Sequence, residues 1–176
     1  ASFNEQPSVD PNVRIFSNVI DKKFHGLLSR LTGLQGYFSV LSTKKLIQHL
    51  KKDNPDGVIL HVLHSNCINF PILCHYLAQH EIPTILVLHD CWYFTGHCCY
   101  FTQSNCVKWQ QDCRYCPQIH EWNKSWFFDT AHKCLQDKKK WFDAIPQLGV
   151  VGVSDWITGE AKKSILKDAA IIRRIY

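Results

Sequence analysis

The stretch that decides the fold is Pro83–His89, which has the sequence PTILVLH. It is a continuous apolar run with β-branched residues, which is typical of a strand that is buried on both faces. Similar runs occur at Gly57–Leu63 (GVILHVL), at Leu148–Val153 (LGVVGV) and at Ala169–Ile175 (AAIIRRI). Since strands of this kind occur mainly in parallel sheets, the four runs predict an α/β protein.

The segments between these runs have helical patterns. Helices are predicted at Thr43–Lys52, Asn69–His80, Asp129–Asp143 and Ser154–Asp168. In the second of them Pro71 lies in the first turn, where the missing N–H group costs little. The alternation of apolar strands with helices predicts parallel βαβ units, and therefore a Rossmann-like sheet with helices on both faces.

Size and composition indicate a single folded domain. The chain has 176 residues, of which 45% are hydrophobic and 20% are charged, and this excludes a disordered protein. Residues 1–12 are polar and predict a loose leader, and residues 13–176 predict the domain, with a short strand at Val13–Ile20. No apolar run approaches the roughly 18 residues of a membrane-spanning helix. Because the chain contains no methionine, we expect it to be part of a longer protein.

Polar residues stand at the ends of three predicted strands. His64 follows the first run, His89 ends the second, with Asp90 directly after it, and Ser154 follows the third. In parallel sheets, ligands bind beyond the carboxyl ends of the strands. The functional site is therefore expected at this edge. His61 and His64 need not share a face, and at least one of them is expected to be structural.

Residues 90–128 have no clear periodicity. A loop of this length is uncommon inside a compact domain, and this one contains many aromatic residues and six of the nine cysteines. Such a composition does not fit a flexible linker. We therefore expect an additional interaction to hold the loop in place.

Four cysteines of this loop have spacings that suit a metal site. Cys113 and Cys116 form a C-x2-C pair, and Cys98 and Cys106 precede them at intervals of several residues. Four thiolates from a short loop suit tetrahedral Zn²⁺, which would supply ordering free energy. His97 and Cys99 are substitute ligands in this interpretation.

Two other interpretations of the loop cysteines stay open. In an oxidising compartment they could form two disulfides, and in a reducing one they could be free thiols packed among aromatic rings. The remaining Cys67, Cys74 and Cys134 lie on or beside helical patterns and are predicted to be core residues. This many unpaired thiols favours a reducing cytoplasm.

The charge distribution does not indicate a nucleic-acid partner. The net charge is only +5, and within residues 90–125 the acidic and basic residues balance. A phosphate-binding surface needs clustered Lys and Arg. The one short basic cluster, Lys138–Lys140, is either a solvated helix face or a face near anionic lipid.

The loop motifs also carry a resemblance to a known family. The string from His89 to Cys98 (HDCWYFTGHC), the string CVKW at 106–109 and the string CRYCPQ at 113–118 resemble bacterial GT-B group 1 glycosyltransferases of the colanic-acid and exopolysaccharide type. Weaker matches extend the resemblance over about residues 24–176. They include Gln35-Gly36, the stretch from Ser42 to Ile47, His61 through His64, Asn69, the stretch from Lys138 to Phe142, and the stretch from Ser154 to Ile157.

The resemblance implies the N-terminal, acceptor-side domain of a two-domain enzyme. Such an enzyme transfers a hexosyl group from a nucleotide-sugar to a growing bacterial surface saccharide or lipid-linked acceptor, with retention. The implied location is the cytoplasm, at the inner face of the cell membrane, and no organic cofactor is implied. The C-terminal donor-binding domain and the family's first βα unit are not recognisable, so the isolated chain is expected to be inactive.

The resemblance also assigns roles to individual residues. His89 and Asp90 would be catalytic, with His89 facing the transferred sugar and Asp90 acting as a base or orienting group. His64, Asn69 and Ser154 would bind substrate. For Asn69 and Ser154 a role as helix N-cap is the open alternative. The alternative function is that of a non-catalytic, zinc-stabilised binding domain.

Overall fold

The structure is a computed structural model, and it describes residues 13–121 and 123–175. The leader predicted at residues 1–12 lies outside the described residues. The helices are α1 (Val19–Thr32), α2 (Val40–Asp53), α3 (Phe70–Gln79), α4 (Ala131–Asp143) and α5 (Asp155–Ala161). The strands are β1 (Val58–Leu60), β2 (Thr84–Leu88), β3 (Leu148–Gly152) and β4 (Ile171–Arg174). No helix in these ranges is long and apolar enough to cross a membrane.

The four strands form one parallel sheet in the order β1-β2-β3-β4. Leu86 of β2 is in register with Leu60 on one side and with Val150 on the other. Helices connect and flank the strands. The predicted fold class, an α/β protein with a Rossmann-like parallel sheet, is therefore confirmed.

The core lies on the inner face of the sheet. Leu60, Leu86 and Val150 are buried there, in one cluster with apolar residues of α3, α4 and α5. Successive residues of a strand point to opposite faces, and the neighbouring Ile59 is 61% exposed. Ile85 and Ile171 are also exposed. Among the described residues, the outer face is thus open to solvent, and the helices predicted on both faces are not found on this one.

The predicted strand at Val13–Ile20 is wrong, because α1 begins at Val19. The side chain of Asn18 caps this helix and accepts a hydrogen bond of 2.7 Å from the Asp21 N–H. At the other end Gly33 takes a left-handed conformation, with φ of 76°, and its N–H group binds the Ser29 carbonyl. An N-cap Asn and a C-terminal Gly are standard helix boundaries. They override the β-propensity of Val19 and Ile20.

Two other elements are shorter than predicted. Strand β1 covers Val58–Leu60 within the apolar run 57–63, and α5 ends at Ala161 instead of continuing to residue 168. After Ala161 the chain continues in turns, in which the Ser164 hydroxyl accepts from the Leu166 N–H at 3.1 Å. Ser side chains compete with the helix backbone in this way.

The loop at 90–128 folds onto the body of the domain. Three short 3-10 helices lie within it, at Trp92–Phe94, Phe101–Ser104 and Lys108–Gln110. Residues 91–99 are all buried. A side chain at Gly96 would collide with the Ala131 carbonyl, so the loop packs directly against the first turn of α4.

A buried cation also holds the loop. Lys138 of α4 donates to the carbonyls of Trp92, at 2.5 Å, and Thr95, at 3.0 Å. Its Nζ lies 3.7 Å from the centre of the Trp92 ring, a cation–π distance. Burial lowers the pKa of Lys138 to about 8. The sequence predicts this lysine in a basic surface cluster, and that prediction is wrong because Lys138 is buried.

Candidate functional site

Four polar side chains meet where β1 and β2 end. His61 and His64 come shortly after β1, and His89 and Asp90 come directly after β2. The Nδ1 atom of His61 lies 3.0 Å from Nε2 of His89, and Nε2 of His64 lies 2.7 Å from Oδ2 of Asp90. The structure therefore brings the predicted residues His64, His89 and Asp90 to the same edge of the sheet. Parallel pairing of the two strands is the reason.

His64 and Asp90 form a half-buried ion pair. Burial alone would lower the pKa of His64, but the hydrogen bonds to Asp90 and Cys99 outweigh it and raise this pKa to about 10. Burial would likewise raise the pKa of Asp90, but the bonds from His64 and from the Trp92 N–H hold it below its usual value. At neutral pH His64 is thus a cation and Asp90 an anion.

His61 is a further member of the site, to which the sequence alone assigns no role. Its ring is exposed beside that of His89, and its carbonyl accepts a hydrogen bond from the Tyr93 hydroxyl. The period-two alternation of the strands is the signal that could have found it. By this alternation His61, which follows β1, falls on the same side as Ile59, and His89, which follows β2, falls on the same side as Ile85.

His64, Asp90 and Cys99 also form a group that could hold a metal ion. Among residues 13–121 and 123–175 it is the only such group whose ligand atoms all lie within 4.8 Å of one another. The Asn123 side chain donates to the Cys99 sulfur at 3.3 Å. One imidazole, one carboxylate and one thiolate suit zinc with an open fourth position. His64 must lose a proton before it can bind a metal.

The four loop cysteines converge on a second place. Cys98, Cys106, Cys113 and Cys116 line one cavity of about 10 Å³, together with His97 and Gln118. This volume is enough for one water-sized particle or ion. The sulfurs are more widely spaced than in a closed tetrahedral zinc site, where they lie roughly 3.8 Å apart, because no three of them meet the 4.8 Å limit. Cys99 does not line this cavity.

The chemistry of this cavity fits a cation. Burial, together with the charges of neighbouring cysteines, raises the pKa of both Cys98 and Cys113 to about 12. The buried Gln118 Oε1 has no hydrogen-bond partner among the described residues. These thiols must therefore lose their protons before they can bind a cation, and a bound divalent cation would stabilise the thiolates and attract the amide oxygen. The donor set therefore fits zinc.

All nine cysteines are free thiols in the structure. Cys67, Cys74 and Cys134 are buried, which confirms their prediction as core residues. Burial raises the pKa of Cys74 and of Cys134. These thiols are therefore neutral and contribute to packing.

Asn69 and Ser154 both cap helices. Oδ1 of Asn69 accepts from the Ile72 N–H at 3.0 Å, and its amide nitrogen donates to the Tyr37 carbonyl. The Ser154 hydroxyl accepts from the Ile157 N–H at 3.3 Å. The structure thus gives both residues the capping role that the sequence left open, and their roles in substrate binding stay predictions.

Three comparisons with known proteins, with family models, curated sequences and solved structures, find no match to this chain.

Proposed function

We propose that the chain is the acceptor-side domain of a retaining, nucleotide-sugar-dependent glycosyltransferase. It would transfer a hexosyl group to a growing bacterial surface saccharide or lipid-linked acceptor, at the cytoplasmic face of the membrane. The observation that supports this proposal most is the pair His61–His89, exposed beside the His64–Asp90 ion pair at the carboxyl edge of a parallel sheet. The resemblance of residues 89–118 to this enzyme family supports it as well.

The two exposed imidazoles suit a sugar. One ring of a neutral pair donates its N–H group to the other, which leaves one N–H donor and one lone pair unused. A sugar presents neighbouring hydroxyl groups, each of which donates and accepts. The pair His61–His89 thus offers the complementary set at one place, and His89 would contact the transferred sugar.

Asp90 is better suited to orientation than to proton abstraction. Its two carboxylate oxygens bind Nε2 of His64 and the Trp92 N–H, and its pKa is below the usual value. A general base works best with a pKa near the working pH. Asp90 would therefore act as a positioning residue that fixes the His64 ring and the backbone after His89.

The test joins this chain to the donor-binding half that the proposal requires. Release of nucleoside diphosphate from UDP- and GDP-hexoses is measured with a mixture of saccharide acceptors. We expect His89→Ala to lower kcat/KM about 100-fold, as loss of one well-placed polar group does. The control His75→Ala changes an exposed histidine of α3 and should leave kcat/KM unchanged.

Two outcomes would overturn the proposal. One is an enzyme that is folded but releases nucleoside diphosphate from none of the donors. The other is a His89→Ala variant with the kcat/KM of the wild type.

We infer that the loop cysteines Cys98, Cys106, Cys113 and Cys116 hold a structural zinc ion. The shared cavity and the unpartnered Gln118 oxygen support this. Bound zinc would keep all four as thiolates and draw the sulfurs together. The same cavity favours the second candidate function, a zinc-stabilised binding domain without catalysis.

Metal content decides between the loop site and the strand-end site. Protein purified without added zinc should contain one equivalent, and Co²⁺ exchanged into it should show strong thiolate charge-transfer absorption. We expect Cys113→Ser to lose the metal and Cys99→Ser to keep it. Retention by Cys113→Ser with loss by Cys99→Ser would assign the metal to His64, Asp90 and Cys99 instead. Metal-free wild-type protein with nine reactive thiols would contradict both sites.

A further inference from the structure

The segment that follows β1 carries two histidines of the candidate site beyond the end of the sheet. The pairing of β1 with β2 ends at Leu60, and residues 61–64 have no regular secondary structure. The ladder hydrogen bonds that fix a strand therefore do not extend to this segment. Other contacts must fix the backbone that carries His61 and His64.

One side of this segment borders open space. His61 and Val62 are exposed, whereas Leu63 is buried and anchors the middle of the segment. All three residues line an open, largely apolar cavity of about 580 Å³. The remaining support for His61 therefore has to come from the loop that follows β2.

Tyr93 of that loop supplies a hydrogen bond to the segment. Its hydroxyl donates to the His61 carbonyl. The Tyr93 side chain is buried, and its ring packs against those of Phe70, Trp92 and Phe142, at centroid distances of 6.0, 5.6 and 6.3 Å. Burial raises the pKa of Tyr93 well above its usual value, so the hydroxyl keeps its proton. Packing thus holds a permanent donor in one place.

The neighbouring Trp92 reaches the other end of the segment through Gln35. The Trp92 indole N–H donates to Oε1 of Gln35 at 2.7 Å, and Nε2 of Gln35 donates to the His64 carbonyl at 3.1 Å. Gln35 and Trp92 are both buried. The short 3-10 helix Trp92–Phe94 is thus bonded to carbonyls at both ends of the segment, once directly and once through an amide.

We propose that Tyr93 is a positioning residue that holds the His61 ring beside His89. The distance of 3.0 Å between Nδ1 of His61 and Nε2 of His89 joins two exposed rings, and water competes with an exposed hydrogen bond. With the His61 backbone fixed by Tyr93, the ring has only its own rotamers left to sample. Tyr93 would act on a sugar only through His61. The catalytic consequence rests on the proposed function, whereas the positioning itself does not.

The first test is ¹⁵N NMR of the imidazole nitrogens in the 176-residue chain, at about pH 8.5, where exposed histidines are neutral. An N–H group shared by His61 and His89 fixes the tautomer of both rings. The wild type should therefore show a scalar coupling between the two facing nitrogens. We expect Tyr93→Phe, which removes only the hydroxyl, to lose this coupling and to give averaged tautomers. A folded Tyr93→Phe variant that keeps the coupling, or a wild type without it, would overturn the proposal.

The matched control is Tyr37→Phe. It also removes one tyrosine hydroxyl, which donates to Asp137 at 2.7 Å, and it should keep the coupling between His61 and His89. An equal loss in this control would mean that the pair responds to any weakening of the domain, and it would refute a specific role of Tyr93.

A measurement on the wild type covers the case in which Tyr93→Phe fails to fold. The Tyr93 hydroxyl proton is buried and bonded, so it should exchange slowly with water and give a nuclear Overhauser effect to the His61 backbone. A rapidly exchanging hydroxyl proton, without this effect, would contradict the proposal.

The catalytic consequence is tested in the chain joined to its donor-binding half. Tyr93→Phe should lower kcat about tenfold and change KM for the donor by less than about twofold, because the other half holds the donor and only the orientation of His61 is lost. An inactive wild type would refute the glycosyltransferase proposal, while the NMR result still decides the role of Tyr93. Loss of the coupling with unchanged kcat would refute the catalytic consequence alone.

Discussion

His25 shows how a buried polar side chain is fixed in one protonation state. Its Nε2 accepts from the Gly36 N–H at 3.2 Å, so this nitrogen carries no proton. Its Nδ1 lies 2.7 Å from the Ser39 hydroxyl, which itself donates to the Asn66 carbonyl. Nδ1 must therefore be the donor. Burial lowers the pKa of His25 to about 4, against a smaller opposing effect of Asp21.

This residue predicts a loss of stability in mild acid. The unfolded chain has the higher pKa for His25, about 6.5, so protonation favours unfolding and the stability falls as the pH drops below that value. Between about pH 7.5 and about pH 5 the free energy of unfolding should fall by about 2 kcal/mol from this group. Urea unfolding at both pH values measures it.

The variant His25→Asn isolates the effect. It should be less stable at both pH values, and it should lack the decrease of about 2 kcal/mol that His25 contributes between them. The His64–Asp90 pair acts in the opposite direction, because the raised pKa of His64 gives stability that is complete below about pH 6.5 and lost as the pH rises toward 10. Equal pH dependence in wild type and variant would contradict the assignment.

At the residue level, the sequence predicted which residues lie at strand ends better than it predicted their hydrogen-bond partners. His64, His89 and Asp90 were found because the residues after buried strands meet at one edge. The hydrogen bond between His61 and His89 and the grouping of Cys99 with His64 depend on strand register and loop path. The alternation along each strand places His61 and His89 on one face, but it fixes neither strand register nor loop path, so both contacts needed the structure.

At the level of elements, α4 and the Cys-rich loop stabilise each other through Lys138. Two buried carbonyls, of Trp92 and Thr95, depend on its ammonium group. No carboxylate is bonded to this group in the described part of the chain, so its burial is also costly, as its lowered pKa indicates. Removing the ammonium group therefore changes the free energy of unfolding in two opposing ways: two hydrogen bonds are lost, and the cost of burying a charge is relieved.

We expect Lys138→Met to lower the free energy of unfolding by about 2 kcal/mol. Two carbonyls lose a charged donor, which costs more than a neutral hydrogen bond, and relief from burying a charge offsets part of that cost. Amides of residues 91–99 should exchange faster with solvent. Lys140→Met, on the exposed face of the same helix, should change stability by less than about 0.5 kcal/mol. A more stable Lys138→Met variant would show that the desolvation cost dominates.

The elements that the sequence predicted correctly have a simple physical basis. Strands β2 and β3 are short apolar runs whose composition favours a buried strand. The predicted helices coincide with α2, α3 and α4 within a few residues. Helix α1 was missed because its first residues, Val19 and Ile20, are β-branched and favour a strand. The pattern Asn18, Ile20, Phe24, Leu27, Gly33 contains the caps and the spacing that identify it.

For the whole molecule, the fold class followed from the sequence but the exposure of the two sheet faces did not. Apolar runs predict strands buried on both faces, and Ile59, Ile85 and Ile171 are apolar like their buried neighbours. Which face receives the helices depends on crossover direction and strand order. Those are properties of the assembled sheet and have no local signal.

The buried amine of Lys138 has one further consequence. An amine-directed reagent reaches exposed lysines such as Lys44 and Lys140 in the folded protein, but Lys138 only after the loop and α4 have separated. Chemical labelling at this single position therefore records how often the domain opens. Peptide mapping of Lys138 labelling would thus follow the unfolding of the domain in the wild-type sequence, without an engineered label.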